Sequence, residues 1–248
     1  MKVIILAGGK GIRLSELTKS IPKPMVKIGK YPILVHIINH YAKYGLKDFI
    51  IAAGYKGYII KKYFKNFKKK GQFFKQKISG KNCNIRIVDT GLNTLTGGRI
   101  KRLKKYFKKN ETFMFTYGDG ISNVNLKKLL NFHKKNKSQI TLTAVRPRNK
   151  YGIIKINNNR ITSLDDSKSK KSNVYINGGY FVISHKAIKL IKNNSTFWEN
   201  EPLKRAIKNK KVFAYKHNKF WHSVDTLKDL EELKKLYSKK NIPWKLDE

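Results

Sequence analysis

Predicted strands and helices alternate along this chain up to Arg146. The apolar segments KVIIL, DFIIAAG, NIRIVDT, TFMFTYGDG and QITLTAV predict strands, and amphipathic segments between them predict helices. Such alternation is typical of βαβ units, whose strands form a mainly parallel sheet. The sequence therefore predicts an α/β fold.

Helices are predicted over PILVHIINHYAKYG, Tyr58–Phe67, Arg99–Lys108 and LKKLLNFHKKN. In the first of them, Pro32 favours the first helical turn and Gly45 favours the C-terminal cap. After Arg146 the pattern changes to the short strands YGIIKIN, RITSL and VYINGGYFVI, followed by two helical stretches. No linker rich in proline or serine separates the two parts, so we expect a single domain over 1–248 with a C-terminal β-rich portion beginning at residue 147.

Composition limits the cellular setting. Of the 248 residues, 40% are hydrophobic, which is enough for a sizeable core. The single cysteine, Cys83, excludes an internal disulfide and fits the reducing cytosol. The first apolar run, VIILA, is too short for a signal peptide or a membrane span. We therefore expect a cytoplasmic protein with no membrane span.

The net charge of +41, from 56 basic and 15 acidic residues, has two interpretations. One is a binder of nucleic acid or of an acidic membrane surface. The other is A/T-rich codon usage, which enriches lysine, asparagine and isoleucine together. The lysines are scattered over predicted outer helix faces, as in RIKRLKKYFKKN. This distribution favours the second interpretation, so no specific nucleic-acid partner is expected.

A glycine-rich segment, LAGGKGIRL, follows the first predicted strand. It is not a P-loop, and Leu14 stands where a dinucleotide-binding loop has its third glycine. Gly8, Gly9 and Gly11 nevertheless allow backbone N–H groups to approach an anion, and Arg13 supplies several donors. The segment is thus either a structural turn or a phosphate-binding loop.

Further charged residues lie close to predicted turns. Lys23 has a stiff backbone because it stands between Pro22 and Pro24. LAGG, DTG and YGDG all lie at strand ends, where ligands bind in parallel α/β sheets. Asp119 of YGDG is either a functional acid or a turn residue. Asp225 of SVDT is either a functional acid or the N-cap of the helix that TLKDLEEL predicts.

Several motifs together resemble the sugar-1-phosphate nucleotidyltransferases, and within that family the enzymes that use CTP and glucose 1-phosphate. They are LAGGKGIRL with PKPM, VDTGLNTLTGGRIKRL, FMFTYGDG, YINGGYFVI, FWENEPL and FWHSVDTLKDLEEL. The resemblance runs from end to end. It implies a Rossmann-like nucleotidyltransferase fold and the synthesis of CDP-glucose and pyrophosphate for bacterial surface polysaccharides such as the O-antigen of lipopolysaccharide. It also implies a homo-oligomer, with a hexamer expected.

The resemblance assigns site residues as well. It makes 1–146 the nucleotide-binding half and 147–248 the sugar-phosphate-binding and C-terminal portion. Arg13, Lys23 and Asp119 would be catalytic, and Asp119 and Asp225 would bind Mg²⁺. The nucleotide would be bound by Leu6, Ala7, Gly8, Gly9, Lys10, Gly11, Ile12, Arg13, Lys23, Thr94, Arg99 and Gly118.

Two departures from the family pattern concern substrate contacts. Ile12 stands where such loops usually carry threonine, and SLDDSKSKKSNVYINGG replaces the Glu-Lys-Pro of the sugar side. Lys168 is the best candidate for the sugar-phosphate lysine, with Lys170 or Lys171 after a shift, and Asn177 is expected to face the sugar.

Three hypotheses follow from the sequence. The first is the CTP-dependent enzyme, the second is a nucleotidyltransferase with another nucleotide or sugar phosphate, and the third is a non-enzymatic basic binding protein. In either enzyme the attacking phosphate is already an anion, so catalysis consists mainly of positioning and charge neutralisation. The aspartates in YGDG and SVDT favour an enzyme, because polyanion binding needs no buried carboxylates.

Overall fold

A computed structural model describes residues 1–65, 69–70, 73–78, 81–146, 153–165, 174–240 and 242–245. In chain order the strands of these residues are β1 (Lys2–Ala7), β2 (Lys27–Ile28), β3 (Tyr31–Pro32), β4 (Asp48–Ala53), β5 (Lys69–Lys70), β6 (Phe73–Ile78), β7 (Lys81–Asp89), β8 (Thr112–Tyr117), β9 (Gly120–Ser122), β10 (Ile140–Val145), β11 (Ile153–Asn157), β12 (Arg160–Asp165), β13 (Ile176–Ser184), β14 (Val212–His217) and β15 (Trp221–Ser223). The α-helices are α1 (Ser15–Thr18), α2 (Ile33–Lys43), α3 (Gly57–Lys65), α4 (Thr96–Arg102), α5 (Leu126–Lys135), α6 (Glu201–Lys208) and α7 (Leu227–Ser238).

The chain divides into two compact units. The first comprises Met1–Thr94, Thr116–Asn123 and Phe220–Glu248, and the second comprises Leu95–Phe115 and Val124–Lys219. The organisation as a single domain with two parts, 1–146 and 147–248, stays a prediction. No helix in the described ranges is long and apolar enough to cross a membrane.

The first unit contains the predicted βαβ units. Its strands lie in the order β1-β4-β7-β6-β5. β1 and β4 are parallel with Ala7 opposite Ala53, and β4 and β7 are parallel with Ala53 opposite Asp89. The carboxyl ends of these three strands are therefore level, and they bring LAGG and DTG to the same edge of the sheet. β6 and β5 continue the sheet in antiparallel orientation.

Burial explains why these segments form central strands. Five consecutive residues of β1, Val3–Ala7, are buried, and so are Phe49–Ala53 of β4. Continuous apolar runs of this kind occur in parallel sheets with both faces covered. α2 is also buried along most of its length; Pro32 precedes it, and Gly45 follows its last turn with φ of 81°. The predicted limits of this helix are confirmed.

The helix predicted over Arg99–Lys108 has different limits. α4 begins three residues earlier, at Thr96, and only a short 3-10 turn follows its end. The reason is a long-range contact, because the N–H groups of Gly97 and Gly98 both donate to the carbonyl of Thr196, at 3.0 and 3.2 Å. These bonds satisfy donors of the first turn, which a helix cannot satisfy internally.

The second unit is richer in antiparallel pairs. Its strands lie in the order β11-β12-β14-β10-β13-β8, and β10 and β14 are parallel whereas β10 and β13, β12 and β14, and β11 and β12 are antiparallel. Its core includes Phe115 and Phe181, which stack with ring centroids 4.1 Å apart, and Trp198, which meets Phe115 edge-on. The predicted fold class, including the β-rich C-terminal portion, is confirmed.

Candidate active site

The glycine-rich loop follows β1 and is held by side chains that the sequence did not indicate. Gly11 has a left-handed φ of 65°, a conformation that favours glycine. Its carbonyl accepts hydrogen bonds from the N–H of Leu14 at 2.9 Å and from Oγ1 of Thr18 at 3.1 Å. The hydroxyl of Tyr55 donates to the carbonyl of Thr18 at 2.9 Å. These bonds form the loop in advance of any ligand.

Two glycines allow close packing around Lys23. A β-carbon at Gly11 would lie 3.1 Å from Cβ of Lys23. A β-carbon at Gly118 would lie 2.8 Å from Cγ of Pro24 and 2.9 Å from the carbonyl oxygen of Leu6. Glycine is therefore required at both positions to admit the Lys23 segment.

Gly9 has a different environment. It is exposed, and a β-carbon there would meet no atom of the described residues within 4 Å. Neither a left-handed φ nor packing in the described part of the chain demands glycine here. Gly9 is thus suited to the close approach of a ligand to the backbone. The same loop exposes Lys10 and 76% of Ile12, whereas Ala7 is buried at the end of β1.

Lys23 joins two carboxylates that are distant in sequence. Its Nζ lies 2.7 Å from Oδ2 of Asp119 and 2.8 Å from Oδ1 of Asp225, across 96 and 202 residues. Burial acts to lower the pKa of Lys23, but the charges of the two carboxylates and their hydrogen bonds outweigh it. The pKa is therefore raised above its ordinary 10.5, and Lys23 is a charged ammonium.

Antiparallel pairing of β9 with β15 brings the two acids together. Gly120 pairs with Ser223, and the N–H of Val224 donates to the carbonyl of Asp119 at 2.9 Å. Asp119 lies in the turn between β8 and β9, and Asp225 stands two residues after the end of β15. The two-stranded sheet thus sets the separation of the carboxylates.

Asp225 has the larger number of charged and polar partners. Its Oδ1 lies 3.0 Å from Nη2 of Arg13, in addition to the ammonium of Lys23. Its Oδ2 accepts a hydrogen bond from Oγ of Ser223 at 3.2 Å. The side chain of Asp225 is only 9% exposed, whereas that of Arg13 is 72% exposed. Asp225 is therefore an anchored acid, and Arg13 is its solvent-facing partner.

The alternative role of Asp225 as the N-cap of α7 is wrong. The N-cap is Thr226, whose Oγ1 accepts a hydrogen bond from the N–H of Asp229 at 3.2 Å. Asp229 completes a capping box by accepting from the N–H of Thr226 at 2.7 Å. The carboxylate of Asp225 is consequently directed to the site rather than to the helix. Asp119 does lie in a turn, as its alternative role supposed, but its carboxylate also binds Lys23.

The two carboxylates fit a divalent cation. A positive charge, the ammonium of Lys23, already lies between oxygens of Asp119 and Asp225. The described residues contain no cluster of three or more histidine, cysteine, aspartate or glutamate side chains that could hold a metal. Mg²⁺ needs no such cluster, because one or two carboxylates bind it together with substrate phosphates and water.

The remaining predicted residues lie in three places. Leu6, Gly8 and Thr94 are buried in the first unit. Arg99 is buried on α4 of the second unit, and Asn177 lies in β13 of that unit, where its Oδ1 accepts from the N–H of Gly179 at 2.9 Å. The candidate sugar-phosphate lysines lie outside the described residues: Lys168, Lys170 and Lys171.

Within the second unit, TGGR meets FWENEPL through one hydroxyl. Oγ1 of Thr96 donates to Oε2 of Glu199 at 2.7 Å and accepts from the N–H of Trp198 at 2.9 Å. Residue-type patterns alone did not indicate this pairing, since 102 residues separate Thr96 and Trp198. Both segments were singled out through the resemblance, and their contact is a structural finding.

Comparison with known proteins identifies the family. The profile of the nucleotidyl transferase family matches residues 2–240. The chain belongs to this family. Among its curated relatives, this nucleotidyl transferase is 42% identical to the glucose-1-phosphate cytidylyltransferase of Salmonella typhimurium over 99% of both chains. It is 37% identical to the probable glucose-1-phosphate cytidylyltransferase of Bacillus subtilis, over 99% of this chain and 100% of that one.

Solved structures support the same fold for this nucleotidyl transferase. HddC from Yersinia pseudotuberculosis superposes with a TM-score of 0.79 at 24% identity, over 95% of this chain and 99% of the other. A UDP-glucose pyrophosphorylase complexed with UDP-glucose gives a TM-score of 0.78 at 18% identity, over 96% and 98%. At these identities the likeness concerns the fold alone.

Proposed function

We propose that this nucleotidyl transferase transfers the cytidylyl group of CTP to α-D-glucose 1-phosphate, giving CDP-glucose and pyrophosphate. The specific substrates are supported by the full-length similarity to relatives named as glucose-1-phosphate cytidylyltransferases. The assignment of the reaction to this site is carried by one observation: Lys23 and Arg13 meet Asp119 and Asp225 within the first unit, next to the glycine-rich loop.

In the proposed reaction, a phosphate oxygen of glucose 1-phosphate forms a bond to the α-phosphorus of CTP. The bond from that phosphorus to the bridging oxygen breaks, and pyrophosphate leaves with the electron pair. The nucleophile is an anion from the start, so no side chain has to remove a proton from it. The main barrier is repulsion between two highly charged phosphates, which positive charge and fixed donors lower.

The described residues supply both the positive charge and the fixed hydrogen-bond donors. Backbone N–H groups of the loop over 8–13 would bind the phosphates, with Gly9 allowing the closest approach. Arg13 and Lys23 would neutralise charge that is spread over the α-phosphate and the leaving pyrophosphate. Asp225, anchored by Ser223, keeps Arg13 and Lys23 close together.

Mg²⁺ is the proposed metal, and Asp119 and Asp225 would hold it. When bound, Mg²⁺ neutralises phosphate charge and orients the triphosphate. Asn177, and Lys168 or a nearby lysine, would contact the sugar phosphate. Thr94 and Gly118 would complete the nucleotide pocket of the first unit, and by the resemblance Arg99 would also bind the nucleotide. We further propose a cytoplasmic homo-oligomer, a hexamer by resemblance, that supplies CDP-glucose for surface-polysaccharide synthesis.

The test is a turnover screen that measures pyrophosphate release. CTP, UTP, GTP, ATP and dTTP are each combined with several sugar 1-phosphates in the presence of Mg²⁺. We expect CTP with glucose 1-phosphate to have the highest kcat/KM. A preference for another nucleotide or sugar phosphate would replace the proposed substrates but keep the reaction class, whereas no release from any pair would contradict the enzyme.

Two controls make the screen specific to this chain. Asp119→Asn, purified identically, removes a carboxylate of the charged cluster and is expected to be inactive. Any pyrophosphate release from this variant therefore measures contaminating activity. Asp48→Asn is the matched substitution away from the candidate site. Asp48 is the first residue of β4, whereas the glycine-rich loop lies at the carboxyl ends of the strands. We expect that variant to keep the wild-type profile.

A further inference from the structure

The ammonium of Lys23 lies where both carboxylates of the candidate metal site converge. Its Nζ is 2.7 Å from Asp119 and 2.8 Å from Asp225. A metal ion bonded to both carboxylates would have to enter the space between those oxygens. We propose that Lys23 blocks this site, and that a divalent cation binds the two aspartates only after the phosphates of a nucleotide have drawn the ammonium away. This inference rests on the proposed function and adds an order of binding to it.

Charge balance supports the exchange. The two carboxylates carry two negative charges, and the side chains of Lys23 and Arg13 carry two positive charges, so the cluster is neutral as it stands. The side chains of Lys23 and Asp225 are only 10% and 9% exposed. A divalent cation added beside the ammonium would leave two unbalanced positive charges with little solvent screening. Removal of the ammonium from the carboxylates relieves that repulsion.

Lys23 has a restricted backbone, and its side chain lies beside the glycine-rich loop. Pro22 and Pro24 restrict the backbone on both sides, and Lys23 opens a short 3-10 turn. Its aliphatic stem passes Gly11, where a β-carbon would lie 3.1 Å from Cβ and 3.6 Å from Cδ of the lysine. The stem therefore runs beside the glycine-rich loop, where the phosphates would bind, and the proposed exchange requires the ammonium to turn from the carboxylates toward that loop.

Asp225 has contacts that do not involve Lys23 and that hold it in place when the ammonium leaves. Its Oδ2 accepts the hydrogen bond from Ser223, and its Oδ1 also meets Arg13. Its backbone N–H donates to Oδ2 of Asp229 at 2.9 Å, which fixes the residue at the start of α7. Asp119 stays in register through the hydrogen bond from Val224. The carboxylate pair thus remains assembled for the cation.

The experiment measures Mn²⁺ binding to the full chain by the electron paramagnetic resonance signal of free Mn²⁺, without nucleotide and without turnover. Lys23→Met removes the charge and keeps a flexible stem, and Lys27→Met is the matched control at an exposed lysine nearby. We expect weak binding to the wild type and to Lys27→Met, and at least tenfold tighter binding to Lys23→Met. The double variant with Asp119→Asn should lose that gain. Equal Mn²⁺ affinity of the wild type and Lys23→Met would overturn the inference.

A second measurement needs no variant, in case Lys23→Met does not fold. CTP affinity of the wild type is measured by calorimetry with and without Mn²⁺, and Mn²⁺ affinity is measured without CTP. Strong binding of Mn²⁺ to the wild type in the absence of CTP would overturn the inference. Detectable CTP binding without Mn²⁺, with Mn²⁺ bound at the aspartates only in the ternary complex, would support it. The Mn²⁺ titrations without nucleotide do not depend on the pyrophosphate screen, so failure of the inference and failure of the proposed function can be distinguished.

Discussion

Two pairs of neighbouring glycines, Gly8 and Gly9 in the first unit and Gly97 and Gly98 in the second, have different surroundings. Gly97 and Gly98 of the second unit press against backbone, and a β-carbon on Gly98 would lie 2.3 Å from the carbonyl oxygen of Asn194. A β-carbon on Gly9 of the first unit would meet no described atom within 4 Å. The same residue type thus serves packing at Gly97 and Gly98 and access to the backbone at Gly9.

The polar contacts of the two regions differ in the same way. Around the loop of the first unit, Arg13 and Lys23 pair with two aspartates, so the contacts are between full charges. Around TGGR in the second unit, Thr96 joins Trp198 and Glu199 through one hydroxyl. We therefore expect substitutions of Arg13, Lys23 and their two aspartates to change catalysis, and substitutions of Thr96, Gly97 and Gly98 to change stability.

The largest effect should come from Asp119→Asn. The amide keeps the shape of the side chain but removes the charge that is proposed to bind Mg²⁺, and a bound metal ion contributes several kcal/mol to such a reaction. We expect kcat/KM to fall roughly a thousandfold or more, with thermal unfolding unchanged within a few degrees. Substantial turnover at saturating Mg²⁺ would contradict the metal assignment of Asp119.

Arg13→Ala should reduce kcat/KM about a hundredfold, since loss of one charged donor typically costs about 3 kcal/mol. Arg205 is the matched arginine of the second unit; it is exposed and pairs with Glu201. Arg205→Ala should leave the rate unchanged and cost less than about 1 kcal/mol of stability, as surface ion pairs do. Equal rates for the two variants would assign GGKGIR to a purely structural turn.

The glycine pairs can be tested against each other. Gly98→Ala should lower the free energy of unfolding by about 2 kcal/mol because the new methyl group overpacks against backbone. Gly9→Ala should leave that free energy unchanged but raise KM for the nucleotide. Denaturant titration and steady-state kinetics of both variants measure the two effects. A destabilised Gly9→Ala with a normal KM would reverse the interpretation of the two pairs.

Ser223→Ala should have the smallest effect. Loss of its hydrogen bond to Asp225 is worth about 1 kcal/mol, or roughly fivefold in kcat/KM. Because Ser223 donates to Asp225, which would hold Mg²⁺, the Mg²⁺ concentration for half-maximal rate should rise while stability changes little. Ser195→Ala, at an exposed serine of the second unit, is the control. An unchanged Mg²⁺ dependence would exclude the positioning role.

Sequence reasoning was most successful where chemistry is local. The apolar runs of β1 and β4 identified central strands, and Pro32 and Gly45 marked the ends of α2. The prolines around Lys23 and the glycines around Asp119 set both residues apart in a chain with few acids. These properties depend on neighbours within a few residues, so they can be recognised without the fold.

The resemblance of the motifs predicted the family, and the comparisons confirm that prediction. The local sequence pattern did not correctly limit α4, whose start depends on Thr196 accepting from two N–H groups. The residues alone also left Asp225 between two roles, and the capping box of Thr226 and Asp229 excludes the N-cap role. In both cases the deciding atom belongs to a contact that the local pattern does not contain.

The sequence by itself thus determined the fold class, the family and the residue types of the site. Only the tertiary structure decided that Lys23 bridges Asp119 and Asp225, that Ser223 anchors the second acid and that Thr96 meets Glu199. Except for the local bond of Ser223, these contacts join residues that are separated by 96 to 202 positions in the sequence. The physical reason is that such distances depend on strand register, and above all on the pairing of β9 with β15, which side-chain periodicity along one segment does not encode.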